Sequence, residues 1–397
     1  MINSIRAWGM PFAAGIGLGV ILFILLHGGV LADQDRTTSR IQTDREKTTG
    51  NEAEAAKQQV VVKPALPVTS STVSQSDSKP ATTRSPEKKP SASSNAVPST
   101  EKSSAKSNSD LDKLTVRVYL TKQKRVEAVP LEQYVRGVLA GEMPIDFELE
   151  ALKAQAVAAR TYIVRRLAMH DRSGVPGEKA DVTDTVDHQV YIPLKELAAR
   201  YPAGEERTAS LAKLTQAVEE TDGEVLTYDG EPIEAAFFST SNGFTENVED
   251  YWQLSLPYLK SVASPWDEEI SPRFKQTVEM KEKELYRRLG VKDDGKPPRI
   301  LETTEGHRVK TVVIGGKTFT GREVREKLDL ASSQFEWTIS KGKATITTYG
   351  LGHGVGLSQW GANGMAKEGA TASEILLHYY TGVKVEQAYK LPNEDGK

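Results

Sequence analysis

Two stretches of this chain put ionisable side chains where an apolar core should be. In Leu131-Glu-Gln-Tyr-Val-Arg-Gly-Val-Leu-Ala-Gly-Glu-Met-Pro144 the apolar residues recur with a helical period, and Glu142 falls among them. At roughly 100° per residue it lies about 40° from Val138, inside the arc bounded by Tyr134 and Leu139. Burial raises a carboxyl pKa, and the negative end of the helix dipole, where Glu142 stands, acts the same way. A carboxylic acid still protonated near neutrality is what general-acid catalysis requires. The alternative is a buried structural Glu held by a neighbouring Arg or Lys. The next helix offers such neighbours, because Lys153 and Arg160 fall on its core side with Leu149, Ala156, Ile163 and Leu167. Arg160 either pairs with Glu142, holds a substrate, or holds a backbone carbonyl.

Other templates fail by inspection. The chain has no Gly-x-Ser-x-Gly elbow, no His-Glu-x-x-His and no Gly-x-x-x-x-Gly-Lys-Ser/Thr, which argues against serine-hydrolase, zincin and P-loop chemistry. The loop Gly350-Leu-Gly-His-Gly-Val-Gly356 lacks the βαβ context of a dinucleotide site. Its glycines instead suit a close approach of backbone and His353 to a ligand. Trp252, Tyr258, Trp266 and Trp360 lie near loop signals and are either core residues or platforms for sugar rings.

The elements that must position these groups can be read along the chain. Leu114 to Leu120 alternates as a strand does. The Glu142 helix opens at Pro130 and stops before Pro144, and a second helix is expected from an Asp146 cap to His170. Asp181 to Ile192 reads as a loop leading into a strand, and Thr208 to Thr221 as a helix. Asp229-Gly230 between Val225–Tyr228 and Ile233–Phe238 signals a type I′ hairpin. Residues 270–345 combine a charged helix (Val278 to Leu289) with short strands (Lys310 to Ile314, Ala344 to Thr348) and are expected to form an inserted subdomain. The expected fold class is therefore α+β, a helical catalytic core with mixed β-sheets and an inserted α/β subdomain.

Ahead of that core, Met10 to Leu26 is almost continuously apolar, which with its flanks predicts a transmembrane anchor over 10–32. Arg6 before it and Asp33 and Asp35 after it place residues 1–9 in the cytoplasm and the rest outside. Val30-Leu31-Ala32 leaves a cleaved signal peptide as the rival reading. Residues 33–109, rich in Ser, Thr, Lys and scattered prolines, are expected to be a disordered extracytoplasmic linker before a domain at 110–390. The net charge of −3 gives no basic excess for nucleic acid, and the absence of cysteine removes disulfides and thiol chemistry.

Five stretches carry a family pattern: Leu131 to Pro144, Leu152-Lys-Ala-Gln-Ala-Val-Ala-Ala-Arg-Thr-Tyr162, Phe238-Ser-Thr-Ser-Asn-Gly-Phe-Thr-Glu246, Leu256-Pro-Tyr-Leu-Lys-Ser-Val262 and Gly352-His-Gly-Val-Gly-Leu-Ser-Gln-Trp-Gly361. Together they resemble the stage II sporulation protein D and amidase-enhancer family. The resemblance implies a peptidoglycan lytic transglycosylase acting on glycan strands, preferably stripped of stem peptides, during engulfment in sporulation. It implies a single-pass location in the cell membrane, at the septum and the engulfing mother-cell membrane. It also implies two partners, the amidase stage II sporulation protein P and the membrane protein stage II sporulation protein M. Glu142 matches the family's catalytic position, and Arg160, Tyr258 and Lys260 match positions associated with activity. Lys153, His188, Ser239, Ser241, His353 and Gln359 are the remaining candidates for substrate binding or support. Some relatives bind zinc near His188 through cysteines that this chain lacks, so no metal and no cofactor are expected. Phe238 and Asn242 depart from the residues common there. Asp146, Glu148 or Glu150 would be the second carboxylate if the chemistry were hydrolysis. A non-catalytic glycan-binding scaffold that stimulates an amidase is the alternative of a different class.

Overall fold

The computed structural model describes residues 114–177 and 179–388. The expected amino terminus (1–9), the anchor (10–32), the whole expected linker (33–109) and the first residues of the expected domain (110–113) lie outside them. Among the described residues no helix is long and apolar enough to cross a membrane. The longest of these helices, Leu149–Ala168, carries Glu150, Lys153, Arg160, Arg165 and Arg166 along its length. The fold-class expectation is corrected here: the described chain is a mixed fold of helices and sheets with no membrane-spanning helix. The membrane anchoring and single-pass cell-membrane location expected with that helix are withdrawn.

Strands β1 (Thr115–Leu120) and β2 (Arg125–Pro130) form an antiparallel hairpin, and β3 (Val182–Thr183) joins β1 in parallel. Alternation turns Val116, Val118 and Leu120 into the core. Pro130 caps helix α1 (Leu131–Glu142), where a missing N–H leaves nothing unsatisfied. Pro144 holds Met143 extended, at φ −119° and ψ 143°, and so ends α1 on Glu142. Helix α2 (Leu149–Ala168) begins later than the Asp146 cap predicts. A turn closed by Phe147 N–H to the Pro144 carbonyl (3.2 Å) comes first.

After the short α3 (Leu194–Leu197) come α4 (Glu205–Glu219), β4 (Glu224–Tyr228) and β5 (Glu231–Pro232). The buried alanines of α2, among them Ala151, Ala154, Ala158 and Ala159, let α1, α4 and β4 pack directly against it. Asp229 and Gly230 both take positive φ (53° and 84°), the turn that the sequence signals between β4 and β5. The second strand does not continue to Phe238. Phe237–Phe238 (β6) leaves the hairpin and pairs in parallel with Leu357–Ser358. That exchange brings the exit of the glycine-rich loop beside the segment Ser239–Ser241.

The chain then makes β7 (Gly243–Phe244), α5 (Val248–Trp252), β8 (Ala263–Ser264) and α6 (Trp266–Ile270). Residues 275–349 hold a hydrophobic cluster of their own, with Leu285, Leu289, Val312, Phe319, Val324 and Ile346 in it. It comprises β9 (Lys275–Lys281), α7 (Glu282–Leu289), β10 (Arg299–Thr303), β11 (Val309–Ile314), β12 (Lys317–Thr320), α8 (Gly321–Leu328), β13 (Phe335–Ser340) and β14 (Lys343–Tyr349). The helix predicted from Val278 starts only at Glu282. Lys275–Lys281 is a strand because it pairs with β14 over its whole length, from Lys275 opposite Tyr349 to Lys281 opposite Lys343. The chain closes with β15 (Leu357–Ser358), α9 (Gln359–Lys367), α10 (Ala372–Tyr379) and β16 (Lys384–Gln387), which returns to pair with β4.

Candidate active site

Glu142 is the last residue of α1, and one face of that helix is pressed against residues 189–192. A Cβ at Gly137 would overlap the Tyr191 ring, and one at Gly141 the Val190 carbonyl oxygen. The Gly137-x-x-x-Gly141 spacing thus lets a backbone segment lie directly on the helix. Ile192 N–H donates to the Gly137 carbonyl (3.1 Å), Tyr134 stacks on Tyr191 at 5.5 Å between centroids, and Tyr134 Oη donates to Gln189 Oε1 (2.9 Å). The same seam aims Val190 N–H at Glu142 Oε1, 2.7 Å away. An Ala at a helical Gly should gain about 1 kcal/mol of helix propensity. Gly141→Ala is expected instead to lose about 2 kcal/mol, because the backbone opposite cannot retreat without breaking that hydrogen bond. Chemical denaturation measures the difference, and a more stable variant would show that the seam yields.

The other Glu142 oxygen faces Gln359, whose Nε2 donates to Oε2 at 3.4 Å. Burial pushes the carboxyl up to about 7, against the lowering by the Val190 amide and the Gln359 side chain. No second carboxylate is among the causes of that shift. Residues around the acid are held from several directions. Lys213 Nζ donates to the carbonyls of Ile145 (3.0 Å) and Phe147 (2.5 Å), just past Glu142. Asn363 Oδ1 accepts from Glu148 N–H (2.8 Å), and Phe147 meets Trp360 edge-on at 4.7 Å.

Behind Gln359 lies Asp267, fully buried in a web of hydroxyls. It accepts from Ser241 N–H (2.8 Å), Ser241 Oγ (2.9 Å), Ser264 Oγ (2.9 Å) and Ser358 Oγ (2.6 Å). Burial pushes this carboxyl up and the four donors pull it down. Ser358 caps α9, and Trp360 N–H donates to the Ser239 carbonyl (3.0 Å), so the start of α9 is pinned where Gln359 meets Glu142. Ser241 is therefore committed to this web, and Ser239 lies next to the site through its backbone.

The remaining candidates are placed elsewhere or are already engaged. Arg160, fully buried, makes a two-pronged pair with Glu132 (Nε–Oε1 2.8 Å, Nη2–Oε2 2.6 Å) and donates to the carbonyls of Glu224 and Val218. Of the three roles open to it, the carbonyl role is the one present, with Glu132 in place of Glu142 as its acid. Lys153 pairs with Glu150 and Glu220, and Lys260 with Glu249. Tyr258 is buried and its Oη accepts from Glu234 N–H (3.1 Å). His188 bonds Thr183 through Nδ1 (Oγ1, 2.8 Å) and donates from Nε2 to the Ser173 carbonyl (3.0 Å). Among the described residues no three His, Cys, Asp or Glu stand where they would hold a metal ion.

His353 accepts from Val355 N–H at Nδ1 and donates from Nε2 to the Phe237 carbonyl, both at 3.0 Å. Burial drives its pKa down to about 3, with nearby Arg325 acting the same way. The loop's glycines serve packing onto the chain itself rather than an open approach to a ligand. A Cβ at Gly354 would overlap the buried Arg308 guanidinium, and one at Gly356 the Ala236 carbonyl. Residue type alone did not expose Val190, Lys213, Asn363 or Asp267. The paired glycines 137 and 141 were the one legible sign, since small residues at that spacing mark a close approach.

Residues 119–228 match the family model described as stage II sporulation protein. The stage II sporulation protein D of Bacillus subtilis (strain 168) is 50% identical over 278 residues, covering 69% of this chain and 80% of that protein. The chain belongs to the stage II sporulation protein D family. A second member, the stage II sporulation protein D of Bacillus amyloliquefaciens, is 48% identical over 277 residues, covering 69% of this chain and 79% of that protein. The amidase enhancer of Bacillus subtilis (strain 168) is 32% identical over 303 residues, covering 62% of this chain and 39% of that protein. Membership in the stage II sporulation protein D family assigns the chain a role in sporulation, in the cell-wall remodelling of engulfment. It does not extend to the expected partners. Enhancing an amidase belongs to the name of one relative, nothing in the similarities extends to stage II sporulation proteins P or M, and among the described residues no helix is long and apolar enough to cross a membrane. Those partner expectations are withdrawn.

Proposed function

We propose that this protein is a peptidoglycan lytic transglycosylase with Glu142 as its acid and then its base. The observation that carries the reading is a half-buried carboxyl held up to about 7 at the end of α1. In its protonated form Glu142 gives its proton to the oxygen linking N-acetylmuramic acid to N-acetylglucosamine, and the C1–O bond breaks. The resulting carboxylate takes the proton of the muramyl 6-hydroxyl, whose oxygen closes on C1 to leave a 1,6-anhydro end. Acid and base are the same group, and no water is consumed. Support for this over hydrolysis comes from the neighbouring carboxylates. A hydrolase uses a second one about 5 to 9.5 Å away. Asp146 and Glu148 are exposed, and Glu150 is occupied by Lys153 Nζ (2.7 Å) and Ala372 N–H (2.8 Å).

The test is mass spectrometry of purified glycan strands after incubation with the full-length protein. Anhydromuramyl ends are the expected products. Reducing ends would mean hydrolysis, and intact strands that remain bound would mean a glycan-binding scaffold without chemistry; either outcome overturns the proposal.

A further inference from the structure

Gln359 is almost completely buried, at 6% exposure, yet only half of its amide is used within the described chain. Its Nε2 donates to Glu142 Oε2 at 3.4 Å. Its Oε1 has no hydrogen-bond partner among the described residues and is not among their fully enclosed unpaired polar atoms. The backbone beneath it is fixed. Ser358 is bound to Asp267, Trp360 N–H to the Ser239 carbonyl, and a Cβ at Gly361 would overlap Tyr379 Oη. The amide therefore stands at a set place, with a donor turned to the acid and an acceptor left over.

We propose that Gln359 is a positioning residue that holds the Glu142 carboxyl with its N–H and receives an N–H or O–H donor of the bound saccharide on its Oε1. The proposal rests on Glu142 being the acid of the reaction. Two facts of amide chemistry support it. An N–H donor favours the carboxylate over the acid, so it eases the return of Glu142 to its basic form for the second step. Distances of this kind are often long without substrate and shorten in the reacting complex, which fits 3.4 Å. A carboxylate at position 359 would keep the acceptor, lose the donor and set a like charge beside Glu142.

That difference gives the experiment. Full-length Gln359→Met and Gln359→Glu proteins are compared with the parent in glycan-strand cleavage from pH 5 to 9, with kcat and KM separated and melting followed alongside. Both variants should move the alkaline limb of kcat upward, Gln359→Met by about half a pH unit and Gln359→Glu further. KM should rise roughly three- to tenfold in Gln359→Met, which lacks the acceptor, and stay near the parent value in Gln359→Glu. A purely structural Gln359 would lower both activities without moving the limb, and that result overturns the proposal. So does an equal KM in the two variants. If Gln359→Met melts early, the limb of Gln359→Glu decides. A Glu142→Gln control separates the two levels: if it still cleaves, the assignment of the acid fails and this proposal with it. If it is silent while the limb of Gln359→Glu stays put, only the role of Gln359 fails.

Discussion

A Glu142→Gln protein is expected to lose glycan cleavage by at least about a thousandfold and, above neutral pH, to be more stable than the parent. The first effect follows from the proposed chemistry, because an amide can neither give the first proton nor take the second. The second effect follows from burial. In the unfolded chain the carboxyl titrates near 4.5, whereas in the fold it is held up to about 7. Below about pH 4.5 it is protonated in both states and its neutral form is easily accommodated. Between those values the unfolded state ionises while the folded state does not, so stability falls with rising pH. Above about 7 the loss is complete. At 1.36 kcal/mol per unit, and discounted because the residue is only half buried, this amounts to about 2 kcal/mol. Gln escapes the loss because it does not titrate. Denaturant unfolding of parent and variant at pH 4.5 and pH 8 measures it: the two should agree at the lower pH and diverge at the higher. A gap that does not grow with pH would mean that the carboxyl is not held up, and residual cleavage would remove Glu142 from the mechanism. Both effects arise from one cause. The desolvation that prepares the acid for the reaction also strains the folded state.

How far the sequence reaches depends on whether a feature is local. The end of α1 was legible because Pro144 dictates it, and the inward direction of Glu142 was legible because the helical period is set by neighbours within two turns. The β4–β5 turn was legible from Asp229-Gly230 alone. Strand β9 was not. Lys275–Lys281 is highly charged and helix-like in composition, and what makes it a strand is β14, more than sixty positions away in sequence. The same limit governs the site. Period placed Arg160 on the core side of α2, yet its acid is Glu132, at the far end of α1 from Glu142. His353 looked available because glycines surround it, and both ring nitrogens turn out to be bound to backbone groups. Asp267 collects hydroxyls from positions 241, 264 and 358, and Val190 contributes only its backbone amide. Groups that act through the main chain or through distant partners leave no pattern in residue type.

Arg160 offers the sharpest case in which activity and architecture can be told apart. Removing its guanidinium would leave Glu132 unpaired and the carbonyls of Glu224 and Val218 without their donor, at the junction of α1, α2, α4 and β4. Breaking a buried pair from one side costs about 3 to 5 kcal/mol, and the lower end applies because Arg160 is buried while Glu132 is partly exposed and regains some hydration. Arg160→Ala is therefore expected to melt far below the parent, and any cleavage it loses should track the loss of folded protein. Arg160→Met with Glu132→Gln removes both charges while keeping much of the volume, and should recover a large part of that stability. Glycan cleavage by the double variant, measured where it is fully folded, then separates the roles. Cleavage close to the parent rate means that Arg160 serves the reaction only by holding α1 in place, about 15 Å of helix being anchored at one end by this pair and carrying the acid at the other. A folded double variant that cannot cleave would instead require the guanidinium at the reacting atoms, where the present geometry does not put it.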